Sequence, residues 1–470
     1  MSITNFDKPS PSACSGGTYQ HYRVRWKLVH VATSNQTAQP DFKYFFEVEE
    51  NGTKISEAYV SANPAGVGMI DLASYIKERL SLPFYDSSDS YSIHNGNNAS
   101  RYLTSVQGAA GIYEVIAGEV YTSGGVLTEF AGTASSTNEL LIINGAFDRH
   151  LGDYAVGSAE LRQNLKGFTN NVPSSTIEVY SGFLTTVKED TYTHIPKAMR
   201  LAKVYDSVRR VYPVPTQSTN LGQLAWVHDS SFITNGASEN IVIRYYDTSD
   251  NLLYTLTIDA TSTGNGGQAL TSTDADGKII SIPAHEGAQN NNSLINALRN
   301  INASTWDYYI VDLTDSGGSA SSHQMLYFKH CYDNRFKHYQ IAWDNGVGFF
   351  DYYNFELKSE HSDKVEKKYY STNVGSWEAS TFKETPYEHG TIPHQVRREK
   401  RYKLSTGKIG EATAEYLRSL VYSRRIDLID DEGNVCPVIL EDQNLTYNVD
   451  KSTSMREYTF TFKLANEIEA

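Results

Sequence analysis

Residues 341–359 constrain the fold more than any other part of this sequence. Two short runs of apolar or aromatic residues, 341–343 and 349–350, flank the segment Asp344-Asn345-Gly346-Val347-Gly348. Asn-Gly between β-forming residues is the strongest short-range signal for a hairpin. The second arm then alternates, with Tyr353, Phe355 and Leu357 on one side. The segment therefore predicts a β-hairpin, and with it a mainly β protein.

Length and composition favour a multi-domain globular protein. A chain of 470 residues is too long for one core and predicts three or four domains of about 100–200 residues each. It contains no run of about 18 apolar residues, so no membrane insertion is expected. Residues 1–11 lack the basic start and apolar centre of a signal peptide. Cys14, Cys331 and Cys436 lie far apart and in no C-x-x-C pair, which argues against a disulfide framework or a zinc site.

The charge balance argues against nucleic-acid binding. Lys plus Arg number 41 and Asp plus Glu 55, a formal net charge of −14, and an acidic chain repels phosphates. Residues 397–403 form a local basic run, which we interpret as a solvated strand face or an intersubunit ion-pair strip. Tyrosine is abundant at 33 residues, and its flat body and terminal hydroxyl suit β surfaces and large interfaces.

The order of patterns predicts four units. They are an N-terminal β-plus-helix module (1–90), an irregular β-rich domain (91–222), a β-sandwich domain (223–330) and a C-terminal β-plus-helix module (331–470). We therefore expect a mainly β fold with a few short helices, built from β-sandwich or β-barrel modules with flanking helices. In one arrangement the two terminal modules pack together, and the middle domains project from them.

Several elements are specific enough to be checked one by one. Residues 22–31 and 42–49 predict adjacent antiparallel strands with a hairpin at 50–53. Asp71 is placed to cap a short helix that buries Leu72, Ile76 and Leu80. Further along, the pattern predicts strands at 241–247, 252–258 and 278–282.

The sequence also predicts two further helices and a closing strand. Leu294, Leu298 and Ile301 mark a second short helix. Thr406-Gly407 predicts a turn before a third helix, which contains Leu417. The closing strand is expected to point Tyr458, Phe460, Phe462 and Leu464 inward.

No catalytic, cofactor or metal signature occurs in the sequence, so we predict no such site residues. His285-Glu286 lacks the second histidine of a zinc protease helix, and Asp274-x-Asp276-Gly277 lacks the distal glutamate of a calcium loop. Ser319 lacks the second glycine of a nucleophile elbow. The later histidines share no strand or helix face at ligand spacing: His323, His330, His338, His361, His389 and His394.

A set of short motifs occurs along the chain, from its start to its end. The motifs are Phe42-Lys43-Tyr44-x-Phe46-x-Val48, Gly66-x-Gly68-x-Ile70-Asp71, Trp343-x-Asn345-x-x-Gly348-x-x-Asp351-x-x-x-Phe355, Val365-Glu366-Lys367-Lys368-Tyr369-Tyr370, Tyr402-x-Leu404-x-Thr406-Gly407, Pro437-Val438-Ile439-Leu440 and Tyr458-Thr459-Phe460-Thr461-Phe462. Together they resemble tail-associated structural proteins of tailed bacteriophages and prophages of Bacteroidetes-type hosts. Their order along the chain carries the resemblance more than any single motif does.

The resemblance implies a non-enzymatic virion protein of the distal tail, baseplate or tail-fibre adaptor. Such proteins assemble as cyclic homo-oligomers in the host cytoplasm and contact the tail tube, hub and fibres, with no specific nucleic-acid binding. A first alternative is a glycan-binding receptor module, in which Trp226, Trp306 or Trp377 lines a groove. A second is a polysaccharide depolymerase, which needs two acids about 5–10 Å apart across a cleft.

Overall fold

The computed structural model describes residues 3–7, 20–23, 28–50, 52–80, 85–86, 91–92, 94, 104–106, 110–130, 140–143, 178–179, 214–216, 218–228, 240–249, 251–259, 278–314, 325–330, 336–344, 350–357, 359–384, 387, 389–410, 417, 420–441, 455–465 and 468–469. These residues form several antiparallel sheets and three short helices with defined bounds. The predicted fold class, mainly β with a few short helices, is confirmed.

The elements of the first half, in chain order, are β1 (Ile3–Asp7), β2 (Gln20–Arg23), β3 (Val29–Ser34), β4 (Lys43–Glu50), β5 (Thr53–Ser61), β6 (Val67–Asp71), α1 (Ala73–Lys77), β7 (Tyr85–Asp86), β8 (Tyr91–Ser92), β9 (Thr104–Val106), β10 (Ala110–Ser123), β11 (Val126–Phe130), β12 (Leu140–Ile143), β13 (Glu178–Val179), β14 (Val214–Thr216) and β15 (Gln223–His228).

Those of the second half are β16 (Asn240–Tyr246), β17 (Leu252–Asp259), β18 (Lys278–Pro283), α2 (Glu286–Asn291), α3 (Ser293–Asn302), β19 (Tyr308–Thr314), β20 (Met325–His330), β21 (Tyr339–Asp344), β22 (Phe350–Phe355), β23 (Ser359–Ser371), β24 (Ser376–Glu378), β25 (Thr381–Lys383), β26 (Thr391–Gly410), β27 (Ile426–Ile429), β28 (Val435–Leu440), β29 (Met455–Leu464) and β30 (Ile468–Glu469).

Two sheets and α1 share the N-terminal core. The sheet β1-β3-β6 and the sheet β2-β12-β10-β4-β5, to which β11 adds beside β10, bury one cluster of side chains around Tyr44, Phe46 and Ile76. The predicted helix is confirmed, with Leu72, Ile76 and Leu80 buried. The Asp71 carboxylate accepts hydrogen bonds from the Ala73 N–H at 3.0 Å and the Leu28 N–H at 2.9 Å, and so fixes the helix start to β3.

The expected pairing of the first two strands is wrong in one respect. β4 and β5 form the predicted hairpin, with Glu50 opposite Thr53. However, β3 pairs with β1 and β6, and β2 pairs in parallel with β12. The connection 35–42 carries the chain from the sheet of β3 into the sheet of β4, and Ala32 of β3 and Phe46 of β4 share the N-terminal core.

A larger core joins the middle and C-terminal parts of the chain. One contiguous cluster of buried side chains runs from Leu221 to Phe462 and includes members from β16, β19, β21, β22 and β29. Its sheets are β13-β15-β18-β9, β14-β20-β19-β16-β17 and β22-β21-β27-β28-β29-β26-β23, with β30 beside β26. The proposed boundaries at 90, 222 and 330 stay predictions.

The hairpin predicted within residues 341–359 is confirmed. β21 and β22 pair antiparallel, with Asp344 opposite Phe350 and Tyr339 opposite Phe355. β21 is buried along its whole length, which places Trp343 at the centre of the larger core. Leu357 lies beyond the end of β22 and is 44% exposed. The closing strand β29 buries Tyr458, Phe460 and Phe462 as predicted, and Leu464 packs against the same core from a half-buried position.

The helix predicted around Leu294, Leu298 and Ile301 is confirmed as α3. Leu294 and Leu298 pack half-buried against the larger core, Ile295 and Arg299 are buried, and Ile301 is 79% exposed. One prediction about the helical regions needs correction. Thr406-Gly407 does not end the strand, because β26 continues through it to Gly410. The two residues form a bulge opposite Tyr458: Gly407 takes a left-handed conformation with φ +63°, and the Thr406 hydroxyl accepts a hydrogen bond from the Tyr458 N–H at 3.0 Å.

The same local device closes two hairpins in different sheets. In the β16–β17 turn, the Asp247 carboxylate accepts from the N–H groups of Ser249 and Asn251, both at 2.8 Å. In the β27–β28 turn, the Asp430 carboxylate accepts from those of Glu432 at 2.9 Å and Asn434 at 2.8 Å. In both turns the asparagine amide also donates to the aspartate. Both turns therefore fix their strand register by local hydrogen bonds.

Some predictions fall outside the described residues. These concern Cys14, Cys331, Asp274, Asp276, Ser319, His323 and the Asn345-Gly346 turn itself. Among the helices that the structure describes, α3 is the longest at ten residues, and none has the length and apolarity of a membrane span.

Candidate interaction surface

The most exposed feature of the described structure is a long two-stranded ribbon. β23 and β26 pair antiparallel from Ser359 opposite Leu404 to Ser371 opposite Thr391. We call these paired residues, 359–371 and 391–404, the stem, and residues 372–390 the tip. β23 has 13 residues, so at about 3.3 Å per residue the stem is about 40 Å long. β26 also pairs with β29 from Arg401 onwards and with β30 at Arg397 and Arg398. Among the described residues, only the distal stem, residues 391–396 with 367–371, is therefore two-stranded.

Opposite charges face each other across the stem. Lys364 lies opposite Glu399 and Glu366 opposite Arg397. Arg398 donates to the Asp363 carboxylate at 2.6 Å, and this hydrogen bond holds the pKa of that carboxyl below its usual range. Exposed pairs of this kind contribute little stability each, but they favour one register over its neighbours.

One face of the stem carries a mainly apolar strip. Val365 lies opposite Arg398, Lys367 opposite Val396 and, beyond a bulge, Tyr369 opposite Pro393. Because residues directly opposite each other in a ladder share a face, these six side chains form one strip, in which two basic side chains, Lys367 and Arg398, are interspersed among four apolar or aromatic ones. Val365 and Tyr369 are about half exposed. A strip of this composition has the character of an unburied contact surface.

The tip presents aromatic side chains to solvent. The small hairpin of β24 and β25 places Trp377 opposite Phe382, with ring centroids 5.6 Å apart in an edge-to-face contact. Trp377 is 72% exposed and Tyr387 84% exposed. Thr372 anchors the tip to the stem, because its N–H donates to the Gly390 carbonyl at 2.9 Å. Large exposed aromatic side chains are typical of recognition surfaces.

The tip backbone depends on one glycine. Gly375 has φ +117°, a conformation that side chains rarely adopt. A Cβ at this position would lie 2.3 Å from the Lys383 carbonyl oxygen. Gly375 therefore allows the chain to cross close to β25 and orient the Trp377 hairpin.

A second cluster of polar side chains lies deep inside the larger core. His94 Nδ1 is 2.9 Å from the Tyr352 hydroxyl, and His94 Nε2 is 3.1 Å from Asp427 Oδ2. Since a carboxylate can only accept, Nε2 carries the proton and Tyr352 donates to Nδ1. Arg425 donates to the same Asp427 oxygen at 3.3 Å and lies over the Phe350 ring.

This buried arrangement resembles a catalytic triad only in its residue types. Each of His94, Tyr352 and Asp427 is at most 1% exposed, so substrate has no access to them. Burial lowers the pKa of His94, against the raising effect of Asp427. The cluster therefore connects distant parts of the chain: the neighbourhood of residue 94, the hairpin strand β22 and β27.

The histidines and tryptophans named from sequence do not come together. His338 is buried, His361 contacts Tyr339 and Tyr402 near the stem base, and His389 and His394 lie on the ribbon. Within the described residues, no three His, Cys, Asp or Glu side chains are grouped to hold a metal ion.

Of the two named tryptophans whose side chains the structure describes, Trp377 is exposed and Trp306 is not. Trp306 is half-buried against Tyr309 and the Arg299 guanidinium, and the side chain of Trp226 lies outside the described set. The buried acids Asp344, Asp351 and Asp427 are at most 4% exposed, so none of these three lines an open cleft.

Sequence reasoning found part of this surface and missed the rest. The basic run 397–403 was expected on a solvated strand, and that strand is confirmed as the stem strand β26. The exposed tip was missed, although a short stretch with Trp377, Phe382 and Tyr387 among polar residues was a signal for it. The His94 cluster was also missed, and its one sequence signal was Asp427 within Ile426–Ile429.

The comparisons with known proteins do not assign this chain to a family. No family model and no curated protein matches the chain. A search of solved structures returns trypsin-activated α2-macroglobulin from Escherichia coli, at 8% sequence identity and a TM-score of 0.17. The match covers 85% of this chain and 19% of that one. A TM-score this low does not establish a shared fold.

Proposed function

We propose that this protein is a non-enzymatic structural subunit of a bacteriophage tail that works by assembling into a cyclic homo-oligomer. The observation that carries the proposal is the ribbon. The distal stem has two strands, an arrangement that is marginally stable alone in water, and twelve of the thirteen residues of β23 are exposed. A partner that covers the stem would stabilise it, as expected for a subunit that completes its fold in an assembly.

Charge supports a second copy of the chain as that partner. The stem contains eight basic and four acidic residues, a formal charge of +4, whereas the whole chain is −14. A surface of this sign is attracted to the acidic remainder of another copy. The resemblance to tail-associated proteins supports the location in the virion, at the distal tail, baseplate or fibre adaptor, in contact with tube, hub or fibre proteins.

The oligomeric state provides the first test. The full-length protein is purified and its mass measured by native mass spectrometry and light scattering over a range of concentrations, with negative-stain images of the same samples. Ring-shaped particles of one defined copy number are expected. A strictly monomeric protein at every concentration would count against the proposal.

The location provides the second test. Immunogold labelling of virions released from cells that carry the gene, with antibody raised against the purified protein, is expected to mark the tail. Virions that lack the protein by labelling and by mass spectrometry would remove the phage-tail assignment, whatever the oligomeric state.

One observation favours a second candidate, a glycan-binding receptor module. Trp377 is 72% exposed and lies beside Phe382, and exposed aromatic faces stack on sugar rings. On a glycan array, Trp377→Ala would abolish binding, and Tyr422→Ala, which removes another exposed aromatic side chain, would leave binding intact. Absence of wild-type binding to any host glycan would exclude this candidate.

A further inference from the structure

The exposed apolar side chains of the described structure are concentrated in two places. Eighteen large apolar or aromatic side chains are exposed in all. Six lie on the ribbon: Val365, Tyr369, Tyr370, Trp377, Phe382 and Tyr387. Six others lie in residues 28–130, which we call the N-terminal unit: Tyr59, Met69, Tyr75, Val126, Leu127 and Phe130.

The same two regions have opposite charge. The N-terminal unit contains twelve acidic and five basic residues, a formal charge of −7, and the stem is +4. Surfaces that combine exposed apolar side chains with complementary charge are suited to bind each other, since the apolar contacts supply affinity and the charges supply orientation.

Within the N-terminal unit, the exposed apolar side chains are most concentrated on the β10–β11 hairpin. Val126 and Leu127 at its turn are each more than 60% exposed. Phe130 stacks on Tyr121 with ring centroids 4.5 Å apart. Across the sheet, the Tyr59 hydroxyl donates to the Glu129 carboxylate at 2.7 Å, and Glu57 lies two residues from Tyr59 on the same strand face.

We propose that the stem of one copy docks, through its Val365–Tyr369 strip, on the β10–β11 hairpin and the adjoining β5 surface of the next copy. This inference rests on the proposed function and names the contact that would build the oligomer. Because the two surfaces differ, the contact is head-to-tail, and repeated head-to-tail contacts close into a ring when the rotation allows. Lys367 and Arg398 would face the side of the sheet that carries Glu57 and Glu129.

Charge reversal on each side tests the contact in the full-length protein. Lys367→Glu with Arg398→Glu is expected to weaken assembly by about tenfold or more, and Glu57→Lys with Glu129→Lys to do the same. The protein that carries all four changes is expected to regain most of the assembly, because the paired charges are exchanged. Glu432→Lys with Glu457→Lys, exposed acids outside both surfaces, is the matched control and should assemble as the wild type does.

Cross-linking supplies an independent readout. Copies labelled with heavy nitrogen are mixed with unlabelled copies, treated with a lysine-reactive cross-linker and digested. Heavy-to-light cross-links between stem lysines, such as Lys364 or Lys367, and Lys43 or Lys54 of the N-terminal unit are expected. Assembly of the wild type without such cross-links and without response to the stem variant would overturn this contact and leave the oligomer intact. A monomeric wild type would overturn the proposed function itself.

Discussion

Two strands near opposite ends of the largest described sheet differ in their exposure to water. All six residues of β21 are buried, whereas twelve of the thirteen residues of β23 are exposed. Hydrogen bonding distinguishes the two strands, because β21 is paired on both sides, with β22 and β27, whereas β23 lies at the edge of the sheet and pairs with β26. Side-chain composition differs in the same sense: β21 reads Tyr-Gln-Ile-Ala-Trp-Asp, and β23 is mostly charged and polar.

This contrast separates stability from interaction within one sheet. Burial of apolar surface is the dominant favourable contribution to folding, so the β21 end supports the fold. The β23 end contributes little burial within one chain and is therefore free to change its contacts in an assembly. Substitutions at the two ends should affect different measurements, and four comparisons test this division.

The largest expected effect is at the buried tryptophan. Trp343→Ala removes a side chain with no exposed area and should lower the free energy of unfolding by about 3–5 kcal/mol. Trp377→Ala at the tip should leave it unchanged within the error of urea titrations. Equal losses at both positions would contradict the division.

The next comparison concerns two aspartates that each have a basic partner. Asp427→Leu breaks the buried contact to His94 and leaves Arg425 without its carboxylate, which should cost about 3 kcal/mol in the free energy of unfolding. Asp363→Leu on the stem removes an exposed ion pair with Arg398 and should not change it measurably. A stable Asp427→Leu protein would show that the buried cluster is not needed for the fold.

The pH dependence of stability should come from two buried histidines of the larger core. Burial lowers the pKa of His285 to about 3 and also lowers the pKa of His94. As pH falls below about 6.5, the unfolded chain binds protons that the folded chain does not, so stability is lost.

Between about pH 7 and about pH 5, His285 alone should account for a loss of about 2 kcal/mol in the free energy of unfolding. His285→Gln should reduce this dependence, and His389→Gln, at an exposed ribbon position, should retain it. An unchanged pH profile in His285→Gln would refute the assignment.

The smallest effect is expected at the bulge near the stem base. Gly407→Ala forces an unfavourable backbone conformation and brings a Cβ within 2.3 Å of Leu357 Cδ1, at a cost of about 1 kcal/mol. The double variant with Leu357→Ala removes the clash and retains the backbone strain. If calorimetry shows that the double variant is as stable as the wild type, the clash with Leu357, and not the backbone strain, causes the loss of stability in Gly407→Ala.

The fold was predictable where the signals are local. The β4–β5 and β21–β22 hairpins, α1 and the alternation of Phe460 and Phe462 all follow from residues that are neighbours in sequence. Strand partners were not predictable in the same way: nothing near β3 indicates that it joins β1 and β6. Thr406-Gly407 shows a further limit, since a glycine with positive φ serves a turn and a bulge equally well.

The candidate surface was predictable only in part for the same reason. The basic stem strand could be predicted from residues 397–403 alone. Its exposure depends on which strands cover it, and that is set by the whole sheet. The His94 contacts join residues more than 250 positions apart, and no local pattern encodes them.

The β16–β17 and β27–β28 turns, each fixed by an aspartate, have a consequence for the order of folding. Asp247 and Asp430 each fix a hairpin with hydrogen bonds that span no more than four residues, and hairpins of this kind form in about 1–10 μs. The long-range contacts of His94 must wait for much larger loops to close. We therefore expect β16–β17 and β27–β28 to form early as separate nuclei, around which the shared core condenses later.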